Sequence, residues 1–126
     1  MNRVLVFDDD QELLDVMQEI LSLNGFEVLT SAPTYEINEL ILRFQPDLII
    51  MDFLMNHVNG GELCSMLKND ESTQDIPVIL CSAYDRIIQS LGDYGCDLFV
   101  NKPIDFSKLT FDINKLLPKG KDYEYH

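Results

Sequence analysis

Short, mostly apolar runs alternate along this chain with longer stretches whose apolar side chains recur at helical spacing. Val4-Leu5-Val6-Phe7, Phe26-Glu27-Val28-Leu29, Leu48-Ile49-Ile50-Met51, Val78-Ile79-Leu80-Cys81 and Leu98-Phe99-Val100-Asn101 read as strands. After the first, Leu13, Leu14, Met17, Ile20 and Leu21 mark a helix that Asn24-Gly25 ends. Pro33 is placed to open the second helix, whose buried face is Ile37, Leu40, Ile41 and Phe44 and which Pro46 stops. Gly60-Gly61 precedes a short third helix with Leu63 and Leu67 on one face, and Lys68 to Asp75 reads as a polar loop. Ile87, Ile88 and Leu91 mark a brief fourth helix ending near Gly92 or Gly95. Phe106, Leu109, Ile113, Leu116 and Leu117 form the last helix, stopped by Pro118.

Nearly continuous apolar strands are expected where helices cover both faces of a parallel sheet. Repeated β-then-α units with right-handed crossovers predict a doubly wound α/β sandwich. Residues 1–118 form one expected domain, and 119–126 a polar tail or the start of a linker.

The strand ends carry the chemistry. The first runs into Asp8-Asp9-Asp10, the third into Asp52, the fourth into Ser82 and the fifth into Lys102-Pro103. In a parallel sheet ligands bind outside the carboxyl ends of the strands, so these groups are expected to converge. Asp10 alone reads as a helix cap. Asp8 and Asp9 add charge that repels unless a cation is present, and a hard divalent ion takes such oxygen ligands. A carboxylate such as Asp52 can attack phosphorus to give an aspartyl phosphate. Ser82, with the small Ala83 beside it, can donate to a phosphoryl oxygen. A cis bond before Pro103 would aim Lys102 back into the cleft.

Composition narrows the field. At 126 residues the chain can bury a core without disulfides or structural metal. A net charge of -13 argues against direct binding to nucleic acid, whose affinity depends on Lys and Arg neutralising phosphates. Cys64, Cys81 and Cys96 have no zinc-ligand spacing and are expected to be buried free thiols in a reducing cytoplasm. The first strand begins at once, so no signal peptide is expected, and no apolar run nears the roughly 20 residues that span a membrane.

Taken in order, these strand-end fragments resemble the receiver domain of two-component response regulators, from Arg3 to about Leu117. They are Val6-Phe7-Asp8-Asp9-Asp10, Pro46-Asp47-Leu48-Ile49-Ile50-Met51-Asp52, Ile76-Pro77-Val78-Ile79-Leu80-Cys81-Ser82-Ala83 and Phe99-Val100-Asn101-Lys102-Pro103. The resemblance implies a flavodoxin-like (βα)5 fold with strand order 2-1-3-4-5. It implies Mg²⁺ (or Mn²⁺) on Asp8, Asp9, Asp52 and the Leu54 backbone carbonyl, with Asp52 as phosphoacceptor. Ser82 would move toward the phosphoryl group, Lys102 would pair with it, and Phe99 would follow Ser82 inward as the switch aromatic. Leu54 and Tyr84 would shield the phosphoryl group.

The implied donor is a histidine kinase or phosphotransfer protein. The implied reader is a downstream protein or an attached output domain, sensing the surface around the fourth helix, fifth strand and fifth helix. A phosphorylation-dependent homodimer fits the same surface. Such a chain is a cytoplasmic signalling domain, catalysing only its own phosphorylation and dephosphorylation.

Three departures stand out from the family pattern. Met55-Asn56 replaces the usual Met-Pro, Leu54 and Tyr84 are bulky, and the stretch from Ser82 to Lys102 is short around the fourth helix. Two other readings compete. A phosphatase of the haloacid dehalogenase type would use Asp8 and Asp10, but its closing acidic motif, imitated by Gly92-Asp93 and Asp97, should follow the catalytic Lys and here precedes Lys102. A degenerate receiver acting only as a binding module would have lost the switch, whereas Asp8, Asp9, Asp52, Ser82 and Lys102 are all present.

Overall fold

A computed structural model describes residues 2–55, 57–83 and 95–117. Its five parallel strands are β1 (Arg3–Phe7), β2 (Glu27–Ser31), β3 (Leu48–Asp52), β4 (Val78–Ser82) and β5 (Leu98–Asn101). They lie in the order β2-β1-β3-β4-β5, the arrangement expected from the sequence. The described helices are α1 (Gln11–Leu23), α2 (Ile37–Phe44), α3 (Gly60–Lys68) and α4 (Phe106–Leu116). The expected helix over Ile87, Ile88 and Leu91, together with Tyr84, Asn56 and the 119–126 tail, falls outside the described residues. None of the described helices is long and apolar enough to cross a membrane.

Alternation along the strands explains the two layers. Leu5, Phe7, Ile49, Met51 and Leu80 face Ile37 and Ile41 of α2 and Leu63, Cys64 and Leu67 of α3. Val4, Val6, Leu48, Ile50, Ile79 and Cys81 face Leu14, Met17 and Leu21 of α1 and Leu109 and Ile113 of α4. Successive side chains point to opposite faces, so a strand covered on both must be apolar throughout. All of β3 is buried, whereas the edge strands β2 and β5 are only partly so. Each fully buried Leu or Ile contributes about 1.5–3 kcal/mol, so the central strands anchor the domain.

Local signals set most of the boundaries. The Asp10 carboxylate accepts from the Glu12 and Leu13 N–H groups at 3.0 and 3.3 Å, the cap expected for α1. Gly25, at φ +91°, then turns the chain beyond that helix toward β2.

Four expectations need correction. The α2 helix starts at Ile37 rather than near Pro33, because the Thr34 hydroxyl accepts from the Glu36 N–H at 3.0 Å and closes a turn first. The second strand runs from Glu27 to Ser31 instead of starting at Phe26. Gly60 is already the first residue of α3 and does not merely precede it. Cys64 and Cys81 are buried as expected, but Cys96 is partly exposed.

Candidate functional site

Parallel strands bring their carboxyl ends to one pole, and register decides which side chains meet there. Phe7 pairs with Met51, Asp52 with Cys81 and Ser82 with Asn101. Asp8, Asp52, Ser82 and Lys102 therefore emerge at neighbouring positions from four strands. The Lys102 N–H donates to the Ser82 carbonyl at 2.9 Å, extending the β4–β5 ladder by one bond. The Lys102–Pro103 peptide is cis, as the sequence led one to expect.

Lys102 Nζ lies 2.9 Å from Asp8 Oδ2 and 3.4 Å from Asp52 Oδ1. The other Asp8 oxygen accepts from the Asp10 N–H at 2.9 Å, which fixes the carboxylate plane. Asp8, Asp9 and Asp52 each present a carboxylate oxygen within 4.8 Å of the others. Asp8 is buried and Asp9 exposed, so the cluster opens to solvent on one side.

Electrostatics at this pole are unbalanced. Burial raises the Asp52 pKa, Lys102 lowers it, and the charges of Asp8 and Asp9 raise it again, leaving it at about 6. Burial pulls Lys102 down, but its hydrogen bond to Asp8 and the charges of Asp52 and Asp8 outweigh this and raise it. Among the described residues, three carboxylates thus share one ammonium, and a hard divalent cation with oxygen ligands fits the remaining negative charge. Cys81, directly beside Asp52 in register, is held as a protonated thiol, since burial pushes its pKa up to about 12.

On either side of Asn56, the described residues after Asp52 are tied by backbone hydrogen bonds. Phe53 N–H donates to the Cys81 carbonyl at 2.8 Å, and Leu54–Met55 then forms a two-residue antiparallel ladder with Val58–Asn59. Gly60 N–H donates back to the Phe53 carbonyl at 2.8 Å. The Asn59 side chain caps α3 by accepting from the Glu62 N–H at 3.1 Å, and its own N–H donates to the Tyr35 hydroxyl at 3.3 Å. Leu54, two residues past Asp52, is left 49% exposed. Ser82 is buried, and Phe99 is half-buried against the cluster that contains Met51 and Leu80.

Asp8, Asp9, Asp52 and Lys102 are thus brought into direct contact range, with Ser82 at the adjoining strand end. Phe99 lies lower on β5, and Tyr84 is outside the described residues. From the sequence, Gly60 is only the end of the loop that follows Asp52, and Tyr35 has no connection to this pole. The Gly60-Gly61 pair was the available signal for the first, whereas nothing marks a hydroxyl contact between residues so far apart.

Comparison with known proteins places this pole in context. The DNA-binding dual master transcriptional regulator RpaA of Synechocystis is 32% identical over 119 residues, covering 93% of this chain and 49% of that protein. The phosphate regulon transcriptional regulatory protein PhoB of Pseudomonas aeruginosa is 32% identical over 117 residues, covering 90% and 51%. The chain therefore spans about half the length of the curated relatives it matches.

Among solved structures, the response regulator TrrA of Thermotoga maritima, in complex with Mg²⁺ and BeF, is similar with a TM-score of 0.82 and 28% identity, covering 93% of this chain and 100% of that one. The receiver domain of a signal transduction histidine kinase from Syntrophus aciditrophicus has a TM-score of 0.82 and 29% identity, covering 93% and 90%. The family description "response regulator receiver domain" matches residues 4–114, which takes in all five parallel strands except Arg3, the first residue of β1, and includes Asp8, Asp9, Asp52, Ser82 and Lys102. By that match and by its fold, this chain belongs to the response regulator receiver domains.

Proposed function

We propose that this domain is a phosphoacceptor switch in which Asp52 takes a phosphoryl group from a phosphohistidine of a histidine kinase or phosphotransfer protein. The observation that carries this reading is the contact of one ammonium, Lys102, with both Asp8 and Asp52 at a pole of three clustered carboxylates. An Asp52 oxygen forms the new bond to phosphorus while the phosphorus–nitrogen bond breaks and its electron pair returns to the donor imidazole. Lys102 would pair with the equatorial oxygens, and Ser82 would donate to one of them. Asp8, Asp9, Asp52 and the Leu54 carbonyl would hold Mg²⁺ or Mn²⁺, which supplies charge neutralisation during transfer.

Phosphorylation draws Ser82 toward the new group, and Phe99, half-buried on the edge strand, follows it inward. The reader is a downstream protein or an output domain joined through residues 119–126. That arrangement fits relatives about twice as long as this chain. It also fits a net charge of -13, which leaves nucleic-acid contact to another domain. The cytoplasm is the compartment where such a donor and reader meet.

Incubation with acetyl phosphate and Mg²⁺ should add one phosphoryl group by intact mass, and Asp52→Asn should abolish it. Unchanged labelling in Asp52→Asn, or labelling that depends on Asp8 as the attachment point, would sink the assignment.

A further inference from the structure

At the pole opposite Asp52, the Lys68 ammonium is enclosed by three acceptors. They are the Ile76 carbonyl at 2.8 Å, the Gln74 carbonyl at 3.3 Å and Asp97 Oδ2 at 2.8 Å. The same Asp97 oxygen accepts from the Val78 N–H at 2.7 Å, and the Asp97 N–H donates to the Val78 carbonyl at 2.9 Å. Gly95, at φ +78°, lies over the Lys68 stem, where a Cβ would stand 3.4 Å from Cγ. One side chain at the end of α3 thus ties together the 74–76 connector, the first residue of β4 and the residue leading into β5.

We propose that Lys68 and Asp97 are positioning residues for Lys102, holding the register of the strand that carries its ammonium to Asp8 and Asp52. This rests on the phosphoacceptor reading above. β5 is an edge strand with four register pairs, all to β4, and parallel pairing is the weaker kind per residue. Its far end is tied by the Lys102–Ser82 backbone bond, and its near end by the Asp97–Val78 pair. Without Lys68, the Asp97 carboxylate is free to turn to water and leave the Val78 N–H.

The Lys68 and Asp97 side chains are 17% and 35% exposed, so this pair is shielded more than an ordinary surface ion pair. A shift at the start of so short a strand is carried to its end. Lys102 must reach two carboxylates at once, and a misplacement of about 1 Å can cost up to roughly a hundredfold in rate.

A merely structural role is separated from this one by a double-mutant cycle. Phosphorylation of Asp52 by acetyl phosphate is timed at saturating Mg²⁺ in wild type, Lys68→Met, Lys102→Ala and the double variant. All four are held at a temperature where circular dichroism shows them folded. Lys68→Met should slow the wild type about tenfold, yet change the Lys102→Ala background by less than about twofold. Lys68→Arg should restore most of the rate.

Equal slowing in both backgrounds, or none in the first, overturns the proposal. Should Lys68→Met not fold, Asp97→Asn goes through the same cycle, because it keeps an oxygen for the Val78 N–H and drops only the charge. A wild type that takes no phosphoryl group refutes the Asp52 reading and this one with it. A labelled wild type with an insensitive Lys68→Met refutes this one alone.

Discussion

Gly60 has no room for a Cβ atom, because the Asp52 carbonyl oxygen already occupies that space. The Asp52 carbonyl carbon and Phe53 Cα stand behind it at 3.0 and 3.2 Å, so the obstacle is backbone rather than a side chain that could swing away. Gly60→Ala should cost about 1–3 kcal/mol and slow phosphorylation of Asp52, since either the end of β3 or the start of α3 must retreat. Urea unfolding and acetyl phosphate labelling measure the two effects. A wild-type urea midpoint would mean that this contact yields freely.

Stability should depend on pH through Asp52. Its folded pKa of about 6 lies above the ordinary 3.8, so the folded state binds this proton more tightly than the unfolded chain does. The corresponding stability is complete below about pH 4 and is lost as pH rises through about 6. The loss is about 1–2 kcal/mol after allowance for solvent screening at the open side of the site. Lys102, raised from its usual value, stays charged across this window. In chelator, wild type should therefore lose urea resistance between pH 4 and 6.5 relative to Asp52→Asn, and Mg²⁺ should return it. Parallel pH curves for the two proteins would contradict this.

The phosphorylated state should be long-lived. Leu54, half exposed beside the acidic pole, offers no hydrogen bond to a water approaching phosphorus in line with the Asp52 oxygen. The bulky Tyr84 is the second shield expected from the sequence. A Leu54→Asn, Tyr84→Glu double variant should lose phosphate several-fold faster than wild type at saturating Mg²⁺, followed by intact mass. Equal rates would mean that neither side chain sets the lifetime.

Arg3 offers a control remote from the chemistry. Its guanidinium donates to the Phe44 carbonyl at 2.9 Å, lies 3.5 Å from a Glu27 carboxylate oxygen and stacks 5.8 Å from the Phe44 ring centroid. Arg3→Ala should lower stability by about 1–2 kcal/mol, because these contacts are partly exposed. Its phosphorylation rate should match wild type. A slowed rate in a folded Arg3→Ala protein would show that the contacts at the start of β1 also reach the acidic pole.

How much of this was legible in the sequence follows from the physics of each element. β1, β3 and β4 were plain, because a strand buried on both faces must be apolar throughout, and Asp8, Asp9, Asp52 and Ser82 stand at or just beyond their ends. The start of α2 was misplaced because Pro33 satisfies a helix-opening rule while the Thr34 hydroxyl closes a competing turn. The Leu54–Met55 and Val58–Asn59 ladder has two residues a side, too few for alternation to register. Tyr35 and Asn59, and likewise Lys68 and Asp97, meet through single polar contacts between distant positions. Such contacts leave no periodic mark, so Lys68 to Asp75 read as an unremarkable polar stretch.

β3 is bracketed by two aspartates with opposite circumstances. Asp47, just before it, is matched: its carboxylate accepts from the Arg3 N–H at 2.8 Å, and its own N–H donates to the Arg3 carbonyl at 2.7 Å. Asp52, at the other end, is crowded by the charges of Asp8 and Asp9, with Lys102 as its counter-charge among the described residues. The strand therefore works as a rigid arm, clamped at one end and left electrically unfinished at the other. Changes near Asp47 can adjust how firmly the arm is held, while changes near Asp52 adjust what completes it. Because β3 is buried and paired on both sides, unlike the edge strand β5, robustness and responsiveness can drift separately along it.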